Sequence, residues 1–222
     1  MGTSTIGLKI MMAVSGLFFV FYVLVHMYGN LKILAGHQGF DDYAHHLRVL
    51  GEPILPYTGM LWIFRILLIV AVIAHAYSAF KLWGRAGSAR SQKYAAKSTV
   101  KASLSSKTMR WGGVALLLFV IFHILDLTLG VQPAASGAFE SGSAYANLVA
   151  SFQRPVVALF YMLTMLVLTV HVAHGTWTAA NDLGATGRRL RQLAAWVAGL
   201  VAIVICLGNI SIPVLVLLGV IQ

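Results

Sequence analysis

Five stretches of this chain are each long enough and apolar enough to cross a bilayer, and that single feature excludes almost every other way of folding it. They run from about Ile6 to Leu34, Tyr57 to Trp83, Thr108 to Gly130, Pro155 to Ala180 and Leu190 to Ile221. A crossing needs about 20 mainly apolar residues. In lipid the backbone must satisfy its own hydrogen bonds, so each stretch is expected to be a helix. Hydrophobic residues make up 59% of the 222 and charged residues only 10%. Soluble domains carry about 25% charged residues, so the expected fold class is all-α, a single transmembrane domain of five helices over residues 1–222. Pro155 suits a helix start, and Pro213 lies where it would kink the fifth span. The segment Met1 to Lys9 has little charge and no cleavage pattern after it, so no removable signal peptide is expected. A single cysteine, Cys206, permits neither an internal disulfide nor an iron–sulfur cluster, which needs several thiolates.

The connections differ in charge. Lys81 to Arg110 holds eight basic residues and no acid, and the connection leading into the fifth span holds Arg188, Arg189 and Arg191 against Asp182. The other two connections are poor in base: one holds Lys32, Arg48, Asp41, Asp42 and Glu52, the other Glu140 and Arg154. The positive-inside rule places both basic connections in the cytoplasm, the N-terminus inside and the C-terminus outside. The net charge of +10 then reflects topology and attraction to acidic headgroups; nothing points to nucleic acid.

Five of the eight histidines lie within spans: His26, His75, His123, His171 and His174. Ionisable side chains inside spans are costly and usually functional. Successive separations from His26 to His75 to His123 to His171 are 49, 48 and 48 residues, one histidine per helix on four helices. The alternating direction of the helices puts His26 and His123 in the outer half of the membrane and His75 and His171 in the inner half. In an antiparallel four-helix bundle these are diagonal partners, able to clamp a flat macrocycle with one imidazole on each face. Zinc would gather about four ligands at one point, whereas these donors form two pairs at two depths. Bis-histidine haem closes the iron to oxygen and suits electron transfer. His174 lies one turn from His171, and one of the two suffices. His37, His45 and His46 are expected to be solvated.

Other residues fit around two haems. Ser15, Gly16, Gly112, Gly113 and Gly175 are small enough to make room for a porphyrin or for close helix packing. Lys32, Arg48, Arg65 and Arg154 are candidate propionate partners at the outer site; Lys81, Arg85 and Lys93 are candidates at the inner one. Arg65 sits inside its span and needs an internal partner. A quinone accepting two electrons also takes up two protons, so an acid should stand nearby. Glu52 and Asp126 are the candidates, with a solvated loop acid and a helix-end acid paired to a loop base as their respective plainer roles.

The stretches Ser15-Gly16-Leu17-Phe18 with His26-Met27, Ile73-Ala74-His75-Ala76 followed by Lys81, His123, and His171-Val172-Ala173-His174-Gly175-Thr176-Trp177 together resemble the two-haem cytochrome b membrane anchor of succinate:quinone oxidoreductases, the succinate dehydrogenases and fumarate reductases with one anchor subunit. The resemblance extends along the whole chain. It implies that His26 and His123 hold the distal haem b, and that His75 and His171 (rather than His174) hold the proximal one. It also implies a flavoprotein subunit and an iron–sulfur subunit docked on the cytoplasmic face of a bacterial cytoplasmic membrane. Succinate would be oxidised at the flavin, and electrons would pass through the clusters and haems to a quinone, with menaquinone expected. Two other readings compete: the cytochrome b subunit of a different membrane oxidoreductase, and a haem-free structural or quinone-binding anchor of the same complex. A transporter would call for broken helices near the midplane, and no clear sign of them exists in the sequence.

Overall fold

The computed structural model describes residues 4–88 and 104–222. Arg90, Lys93, Lys97 and Lys101 of the long basic connection lie outside the described residues. Among the described residues, five helices have the length and hydropathy to span a membrane. They are α1 (Thr5–Asn30), α3 (Gly59–Ser88), α4 (Leu104–His123), α6 (Pro155–Asp182) and α7 (Arg188–Leu217), with α2 (Gly36–Val49) and α5 (Ala144–Phe152) as shorter helices in the connections. The chain crosses antiparallel at each step. The end where α1 begins is called the near end, and the end where α1 finishes the far end.

Each boundary has a local cause. The Ser4 side chain caps α1 by accepting from the Gly7 amide at 3.0 Å, which satisfies one of the unpaired first-turn donors. Pro155 opens α6, where its missing N–H costs nothing. A 3₁₀ turn over Leu31–Ala35 ends the first crossing, and α4 runs on into a π-helical turn over Ile124–Leu129. Gly130 closes that turn at φ +66° against the Phe139 ring, which occupies the space a β-carbon would need. Inside the spans, the hydroxyls of Ser78, Thr164 and Thr169 donate to the carbonyl four residues back at 2.7, 2.8 and 2.7 Å. They therefore enter an apolar medium already paired.

Side-chain size decides which faces meet. Along α7, Leu193, Leu200 and Leu207 point outwards at 59%, 65% and 66% exposure, a heptad stripe suited to lipid. Ala198 and Ala202 on the other face are 1% exposed; small residues let helices approach without a water-driven hydrophobic force. This face packs on α6 and α1, and the Asn30 amide donates to Asn209 across the α1–α7 contact at 3.1 Å.

The other four spans form a ring. α3 packs on α1, α1 on α6, and α6 on α4. The fourth side, between α3 and α4, is the loosest, bridged near one end by Trp83 and Trp111 with ring centroids 5.5 Å apart. The diagonals of this ring are α1 with α4 and α3 with α6. Basic side chains collect at the near end, where Arg188, Arg189 and Arg191 are exposed. There Lys9 bonds Asp182 at 2.9 Å, and Arg85 donates to Thr5 at 3.0 Å. Asp41, Asp42, Glu52 and Glu140 belong to the far-end connections.

Candidate functional site: two histidine pairs in the bundle

The ring topology brings the four span histidines together as two pairs. His26 on α1 faces His123 at the end of α4 with ring centroids 5.8 Å apart, and His75 on α3 faces His171 on α6 at 6.3 Å. Both are diagonal pairs, so each reaches across the bundle interior. Their depths follow from a common register. The His75 ring lies against Gly16, the His171 ring against Gly113, and the His123 ring against Tyr161. Gly16 precedes His26 by ten residues, Gly113 precedes His123 by ten, and Tyr161 precedes His171 by ten. At about 1.5 Å per residue, three helices independently put the two levels about 15 Å apart.

At each level the other diagonal has a distinct character. Gly16 and Gly113 flank the near pair; a β-carbon on either would stand 3.2 Å from His75 Cε1 or 3.4 Å from His171 Cε1. At the far level that diagonal carries Tyr161 on α6 and, ten residues before His75, Arg65 on α3. The near level thus has its histidine rings seated against glycine backbone, while the far-level diagonal carries a phenol and a guanidinium. Aromatic rings complete the walls. Tyr22 stacks on His26 one turn ahead of it, Phe119 does the same for His123, and Phe19 meets His75 edge-on at 6.0 Å.

Hydrogen-bonding groups stand beside Nδ1 of two histidines. The Ser15 hydroxyl donates to the Met11 carbonyl at 2.6 Å and stands 3.2 Å from His75 Nδ1. With its one hydrogen so engaged, Ser15 accepts from Nδ1–H, which leaves Nε2 of His75 with a free lone pair. A chain of contacts reaches His123 as well. Its Nδ1 lies 3.4 Å from the Tyr161 hydroxyl, which donates to Asp126 Oδ2 at 2.9 Å. His171 Nδ1 is buried with no hydrogen-bond partner among the described residues.

These features fit a haem. An iron held by two imidazole nitrogens at roughly 2 Å each separates the ring centroids by about 6 Å, close to both observed spacings. The donors come in twos, since among the described residues no three His, Cys, Asp or Glu side chains converge. A free Nε2 lone pair opposite an oriented Nδ1–H, as at His75, is the usual arrangement for a ligating histidine, and the two glycines let the near-pair rings lie close against the α1 and α4 backbones. His174 faces Trp177 at 6.0 Å, whereas the ring opposite His75 is His171.

The remaining candidates are spread around these pairs. Asp126 is 1% exposed in the π-helical turn. It accepts from Arg154 at 2.7 Å, from Ser151 at 2.6 Å and from Tyr161 at 2.9 Å. Arg154 also donates to the Ala134 carbonyl at 2.7 Å, so it fastens a far-end loop to the acid. Glu52 is exposed in the turn between α2 and α3. Lys32 lies over the Tyr28 ring, Arg65 over Trp62 and Lys81 over Tyr77, at 4.8, 4.9 and 5.7 Å. Arg48 donates to the Ala44 carbonyl of its own helix at 2.8 Å. His37, His45 and His46 are exposed on α2. Tyr161 is the participant that sequence reasoning missed: nothing local marks it, and only its ten-residue offset from His171 could have placed it level with His123.

Comparison with known proteins adds an independent line. No curated protein and no solved structure matches the chain. A family model described as the succinate dehydrogenase/fumarate reductase transmembrane subunit matches residues 81–207, more than half of the chain, taking in His123 and His171. The chain belongs to the family of succinate dehydrogenase/fumarate reductase transmembrane subunits.

Proposed function

We propose that this membrane subunit is the two-haem cytochrome b type of anchor, carrying one haem b between His26 and His123 and a second between His75 and His171. The observation that carries this reading is the pair of diagonal histidine contacts, at centroid spacings of 5.8 and 6.3 Å, on two levels about 15 Å apart. When bound, the haems would supply one-electron carriers at two depths, between an iron–sulfur subunit and a membrane quinone, with menaquinone the expected one. The chain's own residues hold and orient. Four imidazoles would hold the irons, Gly16 and Gly113 would make room at the near level, and the cations Arg65, Lys32 and Lys81 would meet the propionates.

The near end, with its exposed arginines, is the proposed cytoplasmic face on which the flavoprotein and iron–sulfur subunits dock, in a bacterial cytoplasmic membrane. The quinone is proposed to react towards the far end, with the exposed Glu52 delivering protons. The Asp126 carboxylate is engaged by three donors, so proton delivery rests chiefly on Glu52.

The test is a dithionite-reduced minus oxidised spectrum with pyridine haemochrome quantification on the purified complex. Two haem b per chain are expected, falling to about one in His26→Ala and in His75→Ala. Absence of haem from the wild type would leave a haem-free anchor as the better reading. In the same preparation, Glu52→Gln is expected to slow quinone reduction at least several-fold; an unchanged rate would remove Glu52 from the mechanism.

A further inference from the structure

The deepest polar cluster of the far half has no part in holding the macrocycle as proposed so far, yet it ends on one of the four histidines. Asp126 is 1% exposed, Ser151 1% and Tyr161 6%, at the join of the π-helical turn, α5 and α6. A carboxylate buried so completely in a membrane protein requires compensation. Arg154 supplies the countercharge at 2.7 Å, and the hydroxyls of Ser151 and Tyr161 bond the other oxygen at 2.6 and 2.9 Å. The ion pair alone would explain Asp126 and Arg154. It does not explain why a tyrosine from α6 turns its hydroxyl into the pair with His123 Nδ1 only 3.4 Å away.

Hydrogen inventory gives the direction. A phenol has one hydrogen, and the Tyr161 hydrogen goes to the carboxylate. Its contact with His123 must therefore be as acceptor, and Nδ1 carries the hydrogen. The sequence of bonds is His123 Nδ1–H to Tyr161 Oη–H to Asp126, with Arg154 and Ser151 holding the acid in place. We infer that Tyr161 and Asp126 are positioning residues for His123, together fixing its tautomer and ring plane and making its Nε2 a more electron-rich ligand than an imidazole left without such a partner.

This inference rests on the haem-ligand reading of His123. Partners behind a ligating histidine orient the ring and raise its basicity, and a more electron-rich ligand favours the oxidised iron. The near pair is set differently: behind His75 stands the neutral hydroxyl of Ser15, whose own hydrogen is given to a backbone carbonyl. The two levels thus differ in what backs the ligand, an anion through a phenol at one and a lone hydroxyl at the other.

The test is a potentiometric titration of the haem-loaded complex, followed by the α-band of each b haem, in wild type, Tyr161→Phe and Ser15→Ala. The His26→Ala variant, lacking the far haem, identifies which of the two potentials belongs to that level. Tyr161→Phe is expected to keep two haems and to shift only the far-level potential upwards, while Ser15→Ala shifts only the near-level one. Site-specific 3-fluorotyrosine in place of Tyr161 keeps the ring and the hydroxyl and changes the hydrogen bond alone. It is expected to move the same potential even if Tyr161→Phe fails to assemble. Two haems with both potentials unchanged in the fluorotyrosine protein would overturn the inference and leave the haem reading intact. A wild type without haem would instead overturn the reading beneath it.

Discussion

Gly16 and Gly113 let the near-level histidine rings lie close against the helix backbone. Each is in a helix interior, where glycine costs about 1 kcal/mol relative to alanine, and each stands where a β-carbon would press on a histidine ring, at 3.2 and 3.4 Å. Gly199 on α7 shows the contrast: it is equally helical, and nothing lies within 4 Å of its absent β-carbon. Both Gly16→Val and Gly199→Val add a β-branched residue to an apolar helix, so any general effect of valine on insertion is common to the two. Only the first intrudes on His75. Haem content is expected to fall from two towards one per chain in Gly16→Val and to stay at two in Gly199→Val, as read by pyridine haemochrome. Equal haem content in the two variants would mean that Gly16 serves helix packing alone.

At the scale of elements, the far end is held by a buried ion pair and the near end by an exposed one. Asp126 and Arg154 tie the π-helical turn to α6 with the acid side chain 0% exposed, whereas Lys9 meets Asp182 with the lysine 48% exposed. Removing one partner of a buried pair leaves an uncompensated charge and costs about 3–5 kcal/mol; an exposed pair contributes about 0–1 kcal/mol. Asp126→Ala should therefore lose several kcal/mol in chemical unfolding in mixed micelles, and Lys9→Ala hardly any. Near-equal losses would show that the far-end cluster is not a structural tie. The sequence reveals the spans well because apolar length is a one-dimensional property: the expected start at Pro155 and stop at Gly130 coincide with α6 and with the end of the π-helical turn. It does not reveal α2 or α5. Their helicity depends on partners distant in the chain, as where Asp41 accepts from the Tyr145 amide at 2.9 Å and Phe40 enters the far-end core. Four of the proposed site residues are legible for a related reason. A near-constant spacing of 48 or 49 residues encodes depth directly, whereas the link from Tyr161 to His123 needs the packing of α6 on α4.

For the molecule as a whole, the asymmetry of charge is what supports the proposed orientation. Among the described residues, Lys81, Arg85 and Arg110 on α3 and α4 and Arg188, Arg189 and Arg191 in the first turn of α7 lie at the same end of the bundle, the end proposed to be cytoplasmic by the positive-inside rule. The proposed orientation would also give the two histidine levels their meaning, with the near pair facing the proposed soluble partners and the far pair the opposite surface. Cysteine labelling reads it without assuming haem. The native Cys206 is buried and gives little background. A cysteine at Glu140, exposed in a far-end connection, should react with a membrane-impermeant maleimide in intact spheroplasts, and a cysteine at the exposed Arg189 only after the membrane is opened. The reverse pattern would turn the molecule over, putting the His26–His123 level next to the cytoplasm. The proposed iron–sulfur partner would then have to dock on the far end, which carries Asp41, Asp42, Glu52 and Glu140, and not on the basic one.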